Sequence, residues 1–70
     1  MNNPIFYDSK TGKYSTPEEA GWYIQYSLES GEIGTIKVDR KPKNMDDALK
    51  MLINIDSDEN WDVLFFAEVI

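Results

Sequence analysis

The residues best suited to chemistry are four oxygen-bearing side chains at alternate positions near the carboxyl end. They are Asp56, Asp58, Asn60 and Asp62. Their spacing matches the start of the calcium-binding loop motif D-x-[DN]-x-[DN]-G-x5-E. Trp61 stands where that loop needs a glycine for its sharp turn, and Ala67 stands where it needs a bidentate glutamate. The pattern therefore predicts a solvated acidic loop, and we assign no metal ligand to it.

The composition excludes most catalytic chemistry. The 70 residues contain no Cys and no His, so there is no thiol nucleophile, no Ser-His or Cys-His pair and no imidazole or thiolate metal site. Paired carboxylates could exchange protons without His, but they need a dry cleft that separates their pKa values. The close carboxylate pairs here lie at expected helix starts or in polar loops. We therefore expect no catalytic residue, no cofactor and no enzyme activity.

The charge of the chain predicts the kind of partner. Thirteen Asp and Glu against seven Lys and Arg give a formal charge of −6. Such a surface repels nucleic acid and anionic lipid, so we expect a protein partner with a basic surface and neither direct nucleic-acid nor membrane binding. The first residues lack the basic and apolar regions of a signal peptide, and no apolar run approaches a membrane span, which predicts a cytoplasmic location.

The chain is long enough for one domain, which we expect to span residues 1–70. A short aromatic run over residues 4–8 predicts a strand, and Gly12 suits the turn that follows it. Lys13 and Tyr14 can then return as the second strand of a small hairpin.

A helix is predicted over residues 17–30 from its start signal. Thr16 suits the N-cap, Pro17 suits the first helical position, and Glu19 closes a capping box. Gly31 suits the residue after the helix. At 100° per residue, a stripe that contains Ile24 forms the predicted core face.

Two large aromatic residues fall on the opposite side of this predicted helix. Trp22 and Tyr26 are four residues apart, among Glu18, Glu19 and Glu29. One interpretation is a recognition face in which the two aromatics anchor a partner and the carboxylates steer it, because Trp and Tyr are enriched at interface hot spots. The other is that a neighbouring loop or the N-terminal hairpin covers both rings.

The second half of the chain predicts a strand, a helix and a strand. Residues 33–39 are rich in β-branched side chains, with Ile36 and Val38 on one face. Asn44 can cap a helix over residues 45–55. Residues 61–70 are apolar on both faces in their middle, which indicates an interior strand covered on two sides. The expected class is α+β, in the order β-(β)-α-β-α-β, with a small sheet packed against two helices.

The second predicted helix has a wide apolar stripe. Its apolar residues cover roughly 200° of the helix, about twice the arc that a one-sided surface helix needs. Either a compact monomer wraps this helix, or a second copy of the chain covers it, because a domain this small buries little surface alone. The hydrophobic residue at the end of the last strand, Ile70, points the same way.

These observations favour a non-catalytic acidic protein that binds a protein partner. The sharper hypothesis is an inhibitor that occludes a basic, nucleic-acid-binding surface. In size and charge the chain resembles the small acidic proteins that phages and mobile elements use against host enzymes and defence systems. A second candidate site is the acidic segment that could imitate a row of phosphates: Asp56, Asp58, Glu59 and Asp62. The alternative function is a structural or regulatory homo-oligomer.

Overall fold

Five strands and one helix make up the part of the chain that the computed structural model describes, residues 3–70. In chain order they are β1 (Phe6–Asp8), β2 (Lys13–Ser15), β3 (Gly21–Leu28), β4 (Ile33–Val38), α1 (Met45–Ile55) and β5 (Trp61–Val69). β1 and β2 form an antiparallel hairpin, and the other strands form an antiparallel sheet in the order β4-β3-β5. The predicted hairpin, the strand now seen as β4 and the helix now seen as α1 are confirmed.

The helix predicted over residues 17–30 is wrong, because this segment contains the central strand β3. The Thr16 hydroxyl donates a hydrogen bond to the Pro4 carbonyl instead of capping a helix. Gly21 has a φ of 148°, far from the helical region. The expected α+β class with two helices on a sheet is therefore corrected to a mostly-sheet fold, in the order β-β-β-β-α-β.

The last strand is also corrected, from an interior strand to an edge strand. β5 pairs with β3 on one side, and no other strand of residues 3–70 pairs with it. Its register to β3 shifts between Gln25 and Tyr26, where Phe65 and Val63 are the partners, so Leu64 is an extra, bulged residue. Phe65 remains 37% exposed. Apolar composition on both faces of β5 therefore does not reflect burial on both faces.

α1 packs on one face of the sheet. The side chain of Asn44 accepts a hydrogen bond from the Asp47 N–H at 2.8 Å, which caps the helix as expected. Ala48 and Leu52 are fully buried against Ile24 of β3. The flanks of α1 stay exposed to solvent. One of the two predicted arrangements, a compact monomer that wraps this helix, is therefore not what the structure has.

The hairpin covers the other face of the sheet. Successive residues of a strand point to opposite faces, so Tyr23 faces away from α1 and packs with Phe6 and Val69 in a second core cluster. The buried Gln25 amide donates to the Tyr7 carbonyl at 3.0 Å and ties β1 to β3. The sheet thus separates two small cores. No helix within residues 3–70 combines the length and the apolar character that a membrane span requires.

Candidate functional site

Trp22 and Tyr26, the two predicted anchors, lie on β3 and share a face because alternate strand residues point the same way. This is the face that packs towards α1, not an outer face. Tyr26 meets Trp61 edge-on, with ring centroids 4.9 Å apart, and Trp22 lies 6.2 Å from Phe66. Both rings are half-buried. Neither stands out as an exposed anchor, and their role in binding stays a prediction.

The orientation of Tyr26 depends on a glycine in the neighbouring strand. Tyr26 pairs with Gly34 of β4, and its ring lies across this position. A Cβ atom added at Gly34 would lie 2.6 Å from the Tyr26 hydroxyl oxygen, so no larger residue fits without a shift. The ring therefore reaches over β4. Burial raises the pKa of Tyr26, and the nearby carboxylates of Glu32 and Asp8 raise it further against the opposing charge of Lys10.

The carboxylates predicted to surround these aromatics do not form one patch. Glu18 and Glu19 precede β3 and Glu29 follows it, so roughly 25 Å of strand separates them. All three are exposed. Glu19 pairs with Lys37, which lowers the pKa of Glu19 and raises the pKa of Lys37.

The loops that follow β3 and α1 meet at one end of the sheet. The Asn60 side-chain amide donates a hydrogen bond to the Glu29 carboxylate, although the two residues are 31 positions apart. Asp62 pairs with Ser27 near the end of β3. Five exposed carboxylates lie at this end of the sheet, which we call the acidic end: Glu29, Asp56, Asp58, Glu59 and Asp62. One primary candidate residue and the whole second candidate segment belong to it.

Four of the seven bases of the chain pair with acids outside the acidic end. The described residues form four ion pairs, namely Lys10–Glu32, Lys37–Glu19, Arg40–Asp47 and Lys50–Asp46. None of the four includes a carboxylate of the acidic end. Lys41 lies over the Trp22 ring, 5.4 Å from its centroid. The acidic end therefore presents its negative charge to solvent without an ion-pair partner from residues 3–70.

The Arg40–Asp47 pair shows how firmly one base is held. Two Arg40 nitrogens donate to the Asp47 carboxylate at 2.8 and 3.4 Å, and the Lys43 backbone N–H donates at 2.8 Å. These bonds lower the pKa of Asp47 from 3.8 to about 2. In turn Asp47 raises the pKa of Arg40. The charge of Arg40 is therefore neutralised within the chain.

Two surface grooves flank α1. One of about 400 Å³ lies between α1 and the end of β4, and its lining includes Met51 and Ile55. The other, of about 250 Å³, lies between α1 and β5 and is lined by Met45, Asp46, Leu49, Trp61, Asp62 and Val63. Neither groove gathers an acid, a base and a nucleophile. Within residues 3–70, no three Asp or Glu side chains are grouped in a way that could hold a metal ion.

No protein-family model, no curated protein and no solved structure matches this chain. We therefore infer function from the exposed surfaces of the chain.

Sequence reasoning missed the groove between α1 and β5, because it placed β5 inside the sheet. One signal pointed to the edge position. Asp62 and Glu68 lie within the strand, and interior strands rarely carry charged side chains. Both residues are exposed in the structure.

Proposed function

We propose that this protein is a non-catalytic interaction protein of the cytoplasm that binds a protein partner with a basic surface. The acidic end carries this proposal. Its five exposed carboxylates come from two loops and the start of β5, and the four bases that form ion pairs in residues 3–70 pair with other acids. A cluster of this sign attracts Lys-rich and Arg-rich surfaces at long range and raises the rate of encounter.

Exposed apolar residues near β5 supply the second requirement, a contact that persists after encounter. Leu64 and Phe65 on β5 and Ile53 on α1 are each exposed by more than a third. Apolar contacts of this kind mainly slow dissociation, whereas charges at the rim mainly speed association. In this proposal β5 and the flank of α1 hold the partner, and the half-buried Trp22 and Tyr26 pack against Phe66 and Trp61 of β5.

The finer form of the proposal is an inhibitor of the phage or mobile-element kind. Carboxylates in succession can accept charge-assisted hydrogen bonds from Lys and Arg side chains that otherwise bind phosphates. A partner held in this way would lose access to DNA or RNA. A duplex oligonucleotide should then compete with the protein for the partner.

The test is capture of partners from source cells with two variants of equal charge. The first variant, D56N/D58N/E59Q, neutralises three carboxylates of the acidic end. The control, E18Q/D39N/E68Q, neutralises three exposed carboxylates elsewhere. We expect the first variant to reduce capture of basic proteins about tenfold or more and the control to retain it. Equal capture by both variants, or captured proteins without a basic surface, would contradict the proposal.

The alternative is a structural or regulatory homo-oligomer, and one observation favours it. α1 exposes the large apolar side chains of Met45, Ile53 and Ile55 in the monomer. A second copy could cover them. Sedimentation velocity over a wide range of concentration distinguishes the two functions: a stable dimer that buries α1 supports the alternative, and a monomer supports a different partner.

A further inference from the structure

The two edges of the three-stranded sheet differ. At the β4 edge, the hairpin binds the first residue of the strand: the Ser9 N–H donates to the Ile33 carbonyl at 3.0 Å, and the Ser9 hydroxyl accepts from the Ile33 N–H at 2.8 Å. At the β5 edge, no strand of residues 3–70 pairs with the outer side. Backbone groups along such an edge can accept an additional strand.

The groove between β5 and α1 runs beside this free edge. Its lining combines the apolar side chains of Met45, Leu49 and Val63 with the carboxylate-bearing residues Asp46 and Asp62. An added strand would direct every second side chain towards α1 and the others towards the opposite face. β5 alternates in the same way, because Trp61 and Val63 pack in the α1-side core while Asp62 is exposed.

We propose that the free edge of β5, together with this groove, binds an extended segment of the partner in which apolar residues alternate with Lys or Arg. This inference rests on the proposed function, because it takes the partner to be basic. The apolar side chains fill the groove between Leu49 and Val63, and the basic side chains lie beside Asp62. Backbone hydrogen bonds to β5 supply affinity, and the alternation supplies specificity.

The bulge at Leu64 limits the length of this contact. A bulged residue interrupts the regular ladder, so an added strand pairs in register only up to Val63. The groove is lined by the same three β5 residues, Trp61, Asp62 and Val63. A segment of about five residues therefore suffices to span the site at the usual rise of a strand. The same bulge discourages long edge-to-edge pairing between copies.

Charge argues for a basic partner and against a second copy as the occupant. Residues 51–70 contain five acids and no base, so β5 of another copy brings carboxylates and no opposite charge to this edge. Residues 37–50 of a second copy, which hold five bases, are a poor substitute, because three of these bases, Lys37, Arg40 and Lys50, already pair with acids of their own chain.

The probe is the capped peptide Lys-Val-Lys-Val-Lys, titrated into the ¹⁵N-labelled full chain at low salt. We expect saturable shifts of the backbone amide signals of Trp61, Asp62, Val63 and Leu49. The same peptide with every backbone amide nitrogen methylated cannot donate backbone hydrogen bonds, and Lys-Ser-Lys-Ser-Lys lacks the apolar side chains. Each should bind about tenfold more weakly, because it lacks one of the two required contacts.

Two pairs of matched variants localise the contact on the chain. Leu49→Gln alters the groove, whereas Ile5→Gln alters an exposed apolar residue ahead of β1 that does not line it. Asp62→Asn removes the carboxylate beside the free edge, whereas Asp39→Asn removes an exposed carboxylate outside the acidic end. We expect the first variant of each pair to weaken peptide binding at least about fivefold more than its control does.

Three outcomes would overturn the inference. Shifts confined to residues 56–60 would mean that the acidic end binds bases without strand addition, which leaves the proposed function intact. Shifts of the β5 amides on concentration of the protein alone would identify a second copy as the occupant. No binding of the peptide up to about millimolar concentration would exclude the site; the capture experiment with D56N/D58N/E59Q then decides the proposed function separately.

Discussion

Asp47 contacts three residues of the loop before α1, two through its carboxylate and one through its backbone N–H. It receives hydrogen bonds from the Arg40 side chain and the Lys43 backbone, and its own N–H donates to the helix cap Asn44. The pKa of Asp47 is lowered from 3.8 to about 2 in the folded chain. A pKa that is lower in the folded chain than in the unfolded chain stabilises the fold at pH values above the unfolded-state pKa. This stabilisation is lost as pH falls from about 4 to about 2.

The first prediction follows from that shift. Asp47→Asn should lower the melting temperature at pH 5 to 7, and the difference from the native chain should shrink as pH falls to about 2. Asp46→Asn is the control, because its partner Lys50 lies 3.8 Å away and both side chains are exposed. Thermal unfolding followed by circular dichroism at several pH values measures both. A difference that stays constant over this pH range would contradict the assignment.

A second residue-scale prediction concerns Gly34, over which the Tyr26 ring lies. Gly34→Ala should cost about 1 to 3 kcal/mol in unfolding free energy, because the new methyl group would push against the ring. Tyr26→Phe removes the closest atom, so the two changes together should cost less than the sum of their separate effects. Urea unfolding of the two single variants and the double variant measures this coupling. Strict additivity would mean that the ring does not rest on this glycine.

At the scale of elements, α1 was predictable and β3 was not, for physical reasons. α1 has a local start signal at Asn44, and its buried residues Ala48 and Leu52 are four apart, which fits a helix. In β3, Ile24 and Leu28 are also four apart, but positions four apart share a face in a strand as well. Trp22 and Tyr26 complete an alternating series that favours a strand. Pairing with β4 and β5, which is non-local, decides the outcome.

The candidate site was predictable only in part for the same reason. The acidic segment 56–62 is visible as a local cluster of charge. Its meeting with Glu29 depends on β3 and β5 being neighbours, and the groove beside β5 depends on β5 lying at the edge. The local pattern of one strand indicates sheet order only weakly: Asp62 and Glu68 within β5 favour an edge position, but they do not identify its neighbour. The predicted patch around Trp22 failed to form because a strand carries its two ends far apart.

The third prediction compares two neighbours on α1. Leu52 is fully buried and Ile53 is 43% exposed. Leu52→Ala should cost about 2 to 5 kcal/mol, enough to unfold much of a small domain. Ile53→Ala should change stability by less than about 1 kcal/mol. Urea unfolding measures both, at a concentration where sedimentation shows a monomer. A large loss at Ile53 in the monomer would mean that the chain itself covers this flank, which would contradict the exposure of Ile53.

The molecule as a whole is thin, and its charge is unevenly distributed. The Cα atoms of residues 3–70 span 36 × 28 × 15 Å, and the sheet divides the core into two small clusters. Burial of this extent leaves little surplus stability, because a chain of this length hides only about 60% of its unfolded surface. Repulsion among like charges then lowers the free energy of unfolding by a noticeable fraction.

The last prediction tests that repulsion. Apart from Arg40–Asp47, the ion pairs of residues 3–70 are largely exposed and contribute little, so screening them costs little. Screening the acidic end removes a destabilising interaction, and raising NaCl from about 50 to about 500 mM should therefore raise the melting temperature of the native chain. D56N/D58N/E59Q should melt higher than E18Q/D39N/E68Q at low salt, although each variant removes three negative charges, and should depend less on salt. Because the net charge is the same in the two variants, a difference between them reports where the charge lies. If the two variants melt alike at every salt concentration, the carboxylates of the acidic end are too far apart to repel one another, and the electrostatic basis of the proposed partner contact fails with them.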